Sequence, residues 1–556
     1  MSSSTKVMLE LSAKKRAILE AFLREQGIGE AKSERIPRRT EFGLAPLSFA
    51  QQRLWFLDQL EPESPLYNIH AAVNLSGPLN VPVLQRSMAE IQRRHEILRT
   101  TFAVIDDRPV QIVRTTAIFK LPVSDLQDLD EGERWSRVSA LAEQDARSLF
   151  DLTKGPLLRA KLLRLRETEH VLLLTFHHIV SDGWSMGVFV RELAALYQAY
   201  MAGRPSPLQE LPIQYADFAA WQRDWLQGER LEEQLSYWRT QLADVPPLLE
   251  LPTDRPRPPV QSYKGAHESV LFSESLTQSL KELSRREGAT FFMTLLSAFS
   301  TLLYRYSGQR DILIGTPIAN RNRAETESLI GFFINTLILR TRFSEQMTFR
   351  ELLAQVRETA LEAYTHQDLP FEKLVEELQP GRTLSHSPLF QVMLDLQNAP
   401  MRDMELQGLR LTPLPFESRM AKFDLTLTAG ETDGRLSGLL EYNTDLFDAA
   451  TIQRMGQHLE CLLQHAVSNP DEQLSRLRLL TADEWQQILV EWNDTEAEIE
   501  PIPCIHELFE RQAAAKPEAV AVVLDDERLT YRQLNERANK LAHYLRRLGT
   551  GPESLV

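Results

Sequence analysis

Val171-Leu172-Leu173-Leu174-Thr175-Phe176-His177-His178-Ile179-Val180-Ser181-Asp182-Gly183-Trp184 is the stretch on which the reading of this chain turns. Val171 to Thr175 is a short apolar run of the kind a buried strand needs. The residues after it spell two histidines, three spacers and Asp-Gly, the pattern HHxxxDG. Met186 to Tyr200 then reads as a helix. The histidines are therefore expected where a strand ends and the chain turns, a place where a rigid scaffold presents reactive side chains. Histidine offers a base that titrates near neutral pH. Asp182 can pair with an arginine and fix the turn. Gly183 allows a sharp turn and a close approach of backbone to substrate. A His-His pair at a strand end is more often a packed or exposed pair than a catalytic one, so the rest of the chain has to decide.

Outward from this stretch, strand and helix patterns are mixed, which gives an α/β (α+β) fold class. Ile69, Ala71, Val73 and Leu75 alternate as in a half-buried strand, and Leu84, Met88 and Ile91 follow helical spacing. Trp135, Val138, Leu141 and Ala142 predict a helix before a strand over Leu157 to Leu165. Two proline-rich breaks follow, Pro205 to Pro212 and Pro252 to Pro259. The second reads as a crossover between two lobes. Beyond it, Leu276 to Arg286 and Phe291 to Ser307 read as helices and Asp311 to Thr316 as a strand. Ser12, Ile18, Leu19, Phe22, Leu23 and Gly27 suggest a capped N-terminal helix, either a docking helix for an upstream protein or one lying on its own domain. Trp492 to Glu498 and Pro501-Ile502-Pro503 form a polar connector. A helix (Ile505 to Ala515), a strand (Ala519 to Leu524), a turn at Asp525-Asp526 and a helix (Tyr531 to Leu548) come last. The expected divisions are 1–40, 41–251, 252–478, 479–504 and 505–556.

The chain has 556 residues, enough for about three or four units. Hydrophobic residues make up 43% and charged residues 25%, as in soluble globular proteins. No apolar run approaches the about 18 residues of a membrane span, and the N-terminus lacks the apolar core of a secretory signal. Cys461 and Cys504 form no metal or disulfide pattern, which fits a reducing cytoplasm. A net charge of −15 argues against nucleic acid as a partner.

Seven stretches in order now resemble the condensation domain of nonribosomal peptide synthetases, over about 44–475. They are Ser48 to Leu57, Arg94 to Phe102, the histidine motif, Tyr215 to Trp221, Ile330 to Thr336, His366 to Glu372 and, more loosely, Arg382 to Leu389. Leu529-Thr530-Tyr531-Arg532-Gln533-Leu534 is similar to the first motif of an adenylation domain. That family's glycine-rich phosphate loop is not found here, so no adenylation activity is expected. The resemblance implies two lobes, each like chloramphenicol acetyltransferase, forming a V-shaped pseudo-dimer with a tunnel between them. Donor and acceptor peptidyl carrier proteins would insert phosphopantetheine arms from opposite faces, and no cofactor is expected to be bound covalently to the chain. The N-terminal segment could meet an upstream synthetase subunit. No metal, nucleic acid or membrane partner is expected, and the setting is cytoplasmic.

The resemblance implies that the acceptor amine attacks the donor thioester and that His178 either takes the amine proton or holds the amine by a hydrogen bond. His177, Asp182, Gly183 and Arg99 would support the loop. Arg99 is the first candidate partner for Asp182 and Arg94 the second, and Gly183 could offer its N–H to an oxyanion. Trp184, Ser185 and Asn335 are candidate tunnel-lining residues. Arg53, Trp55, Tyr215, Trp221 and His95 read as framework. Rival readings are an epimerization domain, a lipid-transferring starter condensation domain, a coenzyme A-dependent acyltransferase and an inert recruitment domain. The adenylation-like start after 505 opposes the first and third, and His178 opposes the last.

Overall fold

The run Val171–Thr175 forms the centre of the strand Glu169–His177, which is buried from His170 onward. Its alternation feeds two apolar layers. Leu172, Leu174 and Phe176 pack with Met88, Ile91, Phe189 and Leu196 on one face, and Val171 and Leu173 pack with Val138, Leu141 and Ala142 on the other. A strand covered on both faces needs no polar alternation, which is why it reads as one continuous apolar run. The computed structural model describes residues 35–40, 42–115, 118–379, 384–397, 404–406, 408–414, 419–496 and 504–556. The proposed helix over residues 12–27 lies outside them.

The histidine strand belongs to a six-stranded sheet ordered Met404–Leu406, Leu409–Leu414, Asn68–Ser76, Glu169–His177, Leu158–Arg166, Val123–Asp125. The helices Val81–Arg94, Gly183–Met201 and Glu131–Arg147 cover it. A second six-stranded sheet is ordered Asn335–Arg342, Asp311–Ile318, Val392–Gln397, Leu425–Thr432, Arg435–Asn443, Gly265–Leu271. Its core is filled from Glu274–Arg286, Phe291–Ser307, Phe349–Thr365 and Ala449–Ser468. These are two lobes of mixed α/β build.

A cut at 251/252 does not separate the two sheets. Leu409–Leu414 pairs antiparallel with Asn68–Ser76, with Leu411 opposite Leu75, and so completes the first lobe from late sequence. An open strand edge wants a partner, and here the second half of the chain supplies it. The loop 319–334 crosses as well: Leu329, Ile330, Phe332 and Phe333 lie in the first lobe's core beside Phe176, Tyr215 and Phe218. Residues 35–40 pack on the first lobe as well. Ile36 is buried, and the Arg39 guanidinium binds Asp217 at 2.9 Å and Glu96 at 3.5 Å.

The chain divides into two compact units after Leu480. The second, Thr481–Val556, contains the helix Ile505–Ala515, the hairpin Val520–Leu524 with Glu527–Thr530, and the helix Tyr531–Arg547. Asp525 turns the hairpin at φ +51°, and Thr530 caps the last helix.

Candidate active site

The strand ends at His177, and His178–Val180 makes a single 3₁₀ turn before the helix Gly183–Met201. The His177 Nδ1 accepts the Ile179 N–H at 3.1 Å, so this buried ring braces the turn, with Phe150 edge-on at 5.9 Å. His178 is fixed twice. Its backbone N–H donates to the Tyr67 carbonyl at 2.7 Å, and its Nδ1 lies 2.9 Å from the Ser181 carbonyl. A carbonyl only accepts, so Nδ1 carries the proton and Nε2 presents a lone pair. Nε2 has no hydrogen-bond partner among the described residues.

Asp182 is the N-cap of the helix and accepts the Ser185 N–H at 2.8 Å. Its charge partner is Arg321, 3.2 Å away, and both side chains are only 1% exposed. Arg99 was the expected partner and is not: it reaches Glu96 at 3.6 Å and the Arg114 carbonyl. Arg94 pairs with Glu192 at 2.8 Å. The reason is the crossing loop. Asp182 also accepts the Phe333 N–H at 3.0 Å, and Arg321 donates to the carbonyls of Thr326 and Leu329. The turn that carries the histidines is thus bolted to a loop from the second lobe. Arg321, which sits on that loop, both orders it and neutralises the buried carboxylate.

Ser185 joins the same knot. It is fully buried, its hydroxyl lies 2.7 Å from Asp182, and it accepts the Gly331 N–H at 3.0 Å. Asn335 is also buried in structure. Its amide donates to the carbonyls of Gln367 and Leu369, and its oxygen accepts the Phe371 N–H. Trp184 is 44% exposed and donates its indole N–H to the Glu327 carbonyl at 3.0 Å. Gly183 has an ordinary φ, and a Cβ there would meet nothing, so no tight turn demands glycine. Its N–H is a free donor among the described residues, at the start of a helix, where the dipole favours negative charge.

Sequence reasoning missed three side chains around His178. Phe332 packs edge-on against its ring at 4.7 Å. Lys422 holds its ammonium 4.9 Å from the ring centre of Tyr67, the residue whose carbonyl anchors His178. Arg321 is the third. Phe332 lay in a quoted motif, but nothing local marked Arg321 or Lys422. Burial, with the Lys422 ammonium next, pushes the His178 imidazole down to about 4, although Asp182 pulls the other way. His177 is pushed down to about 3 by burial, then by His178, Lys422 and Arg159. Burial lowers Lys422 itself to about 8, against the pull of Glu441. Near neutral pH the site therefore combines an uncharged imidazole with a charged lysine.

Residues 42–489 match the family model described as "Condensation domain". The chain belongs to the condensation domain family. Residues 509–556 match the model described as "AMP-binding enzyme". The chain is 52% identical over 543 residues to a linear gramicidin synthase protein of Brevibacillus parabrevis, covering 97% of this chain and 7% of that protein. It therefore spans a small fraction of that relative's length. Among solved structures it resembles the X-domain in a complex with OxyB from teicoplanin biosynthesis, at 32% identity and TM-score 0.73, covering 82% of this chain and all of the other. A four-domain nonribosomal peptide synthetase bound to AMP and glycine shares the fold at 24% identity and TM-score 0.77, covering 94% of this chain and 40% of that one.

In this condensation domain the remaining motif residues form a frame around the histidine turn. The Tyr215 hydroxyl donates to the Phe332 carbonyl at 2.6 Å and meets Ser48 at 2.8 Å. His95 accepts the Ile330 N–H at Nδ1 and donates from Nε2 to Glu192, which ties the second motif to the fifth. Arg53 of the first motif pairs with Glu372 of the sixth at 3.4 Å, which ties these two motifs together across the chain. Trp221 stacks on Trp225 under the Arg323 guanidinium. Arg382 and Thr383 lie outside the described residues.

Proposed function

We propose that this domain joins a donor acyl or peptidyl thioester to the amine of an acceptor aminoacyl thioester, both carried on phosphopantetheine arms of peptidyl carrier proteins. The observation that carries this reading is the His178 ring, locked through Nδ1–H with Nε2 free at the seam of the two lobes. The acceptor amine attacks the thioester carbonyl, and its proton passes to Nε2 as the C–N bond forms. The oxyanion faces the free Gly183 N–H at the helix start. Collapse breaks the C–S bond, and the leaving thiolate takes the proton. Holding two tethered reactants together can replace roughly 7–11 kcal/mol of barrier at the limit. A positioned base adds about 10²–10⁴-fold. No helix among the described residues is long and apolar enough to cross a membrane. A cytoplasmic setting fits two cysteines that are not bonded to each other.

The test supplies loaded donor and acceptor carrier proteins, with acyl-coenzyme A as a rival donor, and detects amide by mass. His178→Ala should melt as the parent does and form amide at least ~10²-fold more slowly. Near-parental turnover would remove the base role. The likeness to an X-domain seen in complex with another protein favours a second reading, a domain that only binds. That reading would be supported by carrier binding without product from any donor.

A further inference from the structure

Phe332 stands between two pinned neighbours on the crossing loop. The Gly331 N–H donates to the Ser185 hydroxyl at 3.0 Å, and the Phe333 N–H donates to Asp182 at 3.0 Å. The Phe332 carbonyl accepts the Tyr215 hydroxyl at 2.6 Å, and that hydroxyl also meets Ser48 at 2.8 Å. A Cβ at Gly331 would lie 2.0 Å from the Tyr215 ring, so the loop has no room to slide in that direction. Phe333 packs against Tyr215 and Phe218, with ring centres 4.9 and 4.7 Å away. Phe332 instead meets the His178 imidazole edge-on, with ring centres 4.7 Å apart. A phenyl ring on so fixed a backbone, itself buried, is a rigid wall beside the imidazole.

We propose that Phe332 is a specificity-determining residue, whose ring is the wall against which the acceptor's α-substituent packs and which selects acceptors with a small side chain. This deepens the condensation reading and rests on it.

The His178 Nδ1 is taken by the Ser181 carbonyl, so the reacting amine meets the ring at Nε2. Proton transfer requires a separation of about 3 Å. Apolar groups touch within about 4.5 Å. An amine that close to Nε2 has its α-carbon one bond away and its β-carbon two bonds away, within reach of a ring that already touches the imidazole. The donor's β-carbon is three bonds from the same nitrogen, so the wall bears first on the acceptor. Glycine brings no β-carbon and alanine only a methyl group. A leucyl or phenylalanyl side chain must push the ring aside or hold its amine off Nε2. The ring cannot retreat, because hydrogen bonds to Ser185, Asp182 and Tyr215 fix the backbone on both sides of it. A phenyl wall carries no polar atom, so it discriminates by size.

The full chain would be assayed with one loaded donor carrier protein and acceptor carrier proteins loaded with glycine, alanine, leucine or phenylalanine. Amide would be measured by mass and kcat/KM obtained for each acceptor. The parental chain should favour the alanyl over the leucyl acceptor. Phe332→Leu and Phe332→Ala should raise the leucyl-to-alanyl ratio of kcat/KM by at least ~10-fold, the low end of what a methylene is worth in an apolar site. Phe332→Trp should lower that ratio. Loss of folded protein scales every acceptor alike, so a merely structural role would leave the ratio where it was. An unmoved ratio in folded Phe332→Leu, or a parental preference for the leucyl acceptor, would overturn the proposal. If neither shortened variant folds, a ratio that holds or rises in Phe332→Trp does so instead. Absence of amide from the parental chain with every acceptor defeats the condensation reading and this inference with it, whereas amide with unmoved ratios defeats the inference alone.

Discussion

Asp182 and Arg321 meet where water cannot stand in for either partner. Removing one leaves a buried charge alone, which costs roughly 3–5 kcal/mol. Asp182→Ala and Arg321→Ala should each lower urea stability on that scale and lose turnover with it, while the double variant should cost much less than their sum. Arg99→Ala, whose pairing stays within Glu96 and a backbone carbonyl, should cost about 1 kcal/mol or less. Additive losses at 182 and 321 would show that the pair is not a unit. The two histidines add a pH dependence. In the unfolded chain both would titrate near about 6.5. In the fold they stand at about 3 and about 4. The unfolded state therefore binds protons first, so their contribution is complete above about pH 6.5 and is lost as pH falls towards those folded values. Urea midpoints at pH 7, 6 and 5 should fall in that order, with a shallower fall in His177→Gln. At this scale the sequence made the histidine turn legible, because its signal is local. The partner of Asp182 was not, because a long-range ion pair leaves no spacing to read. Ser185 and Asn335 show a related limit: their hydrogen bonds to backbone across the fold leave no spacing to read either.

The elements were legible where periodicity was strong. The strand Leu158–Arg166 and the helices Glu131–Arg147, Glu274–Arg286 and Phe291–Ser307 fall where apolar spacing put them. What spacing could not express is that two late pieces of chain belong to the early lobe. Leu409–Leu414 carries no mark that its pairing partner is Asn68–Ser76, since a strand's pattern tells which face is buried and not which edge it joins. The loop 319–334 shows the same limit, and one of its residues offers a test. A Cβ at Gly331 would lie 2.0 Å from the Tyr215 ring, so glycine is required there for close approach. Tyr215 cannot yield, because its hydroxyl is held by Ser48 and the Phe332 carbonyl. Gly331→Ala should overpack the seam and cost about 1–3 kcal/mol, occasionally more. Gly183→Ala, where a Cβ meets only open space, should leave stability within about 0.5 kcal/mol. Equal losses from both would mean that the loop does not seat against Tyr215 as described.

Across the whole molecule, stability is divided unequally. The larger unit has two extensive apolar cores, one under each sheet. In the smaller unit, the helix Tyr531–Arg547 has no buried residue, and Ile505–Ala515 has only Ala513. Ile505, Leu524, Leu541, Tyr544 and Leu548 all stand more than half exposed. Capping at Thr530 and a short hairpin supply local order, but helices of this length are marginal without a packed face. Local opening should therefore be far cheaper in residues 505–556 than in the histidine strand. Hydrogen exchange on the intact chain would read this directly. Amides of Leu172 to Phe176 should be among the slowest, since opening them requires breaking pairings on both sides, to Asn68–Ser76 and Leu158–Arg166. Amides of Tyr531–Arg547 should exchange early and in a separate phase. Turnover should then be insensitive to mild urea that has already released protection there. Protection across that helix matching the histidine strand would mean that its apolar face is covered in solution and that the two units unfold as one.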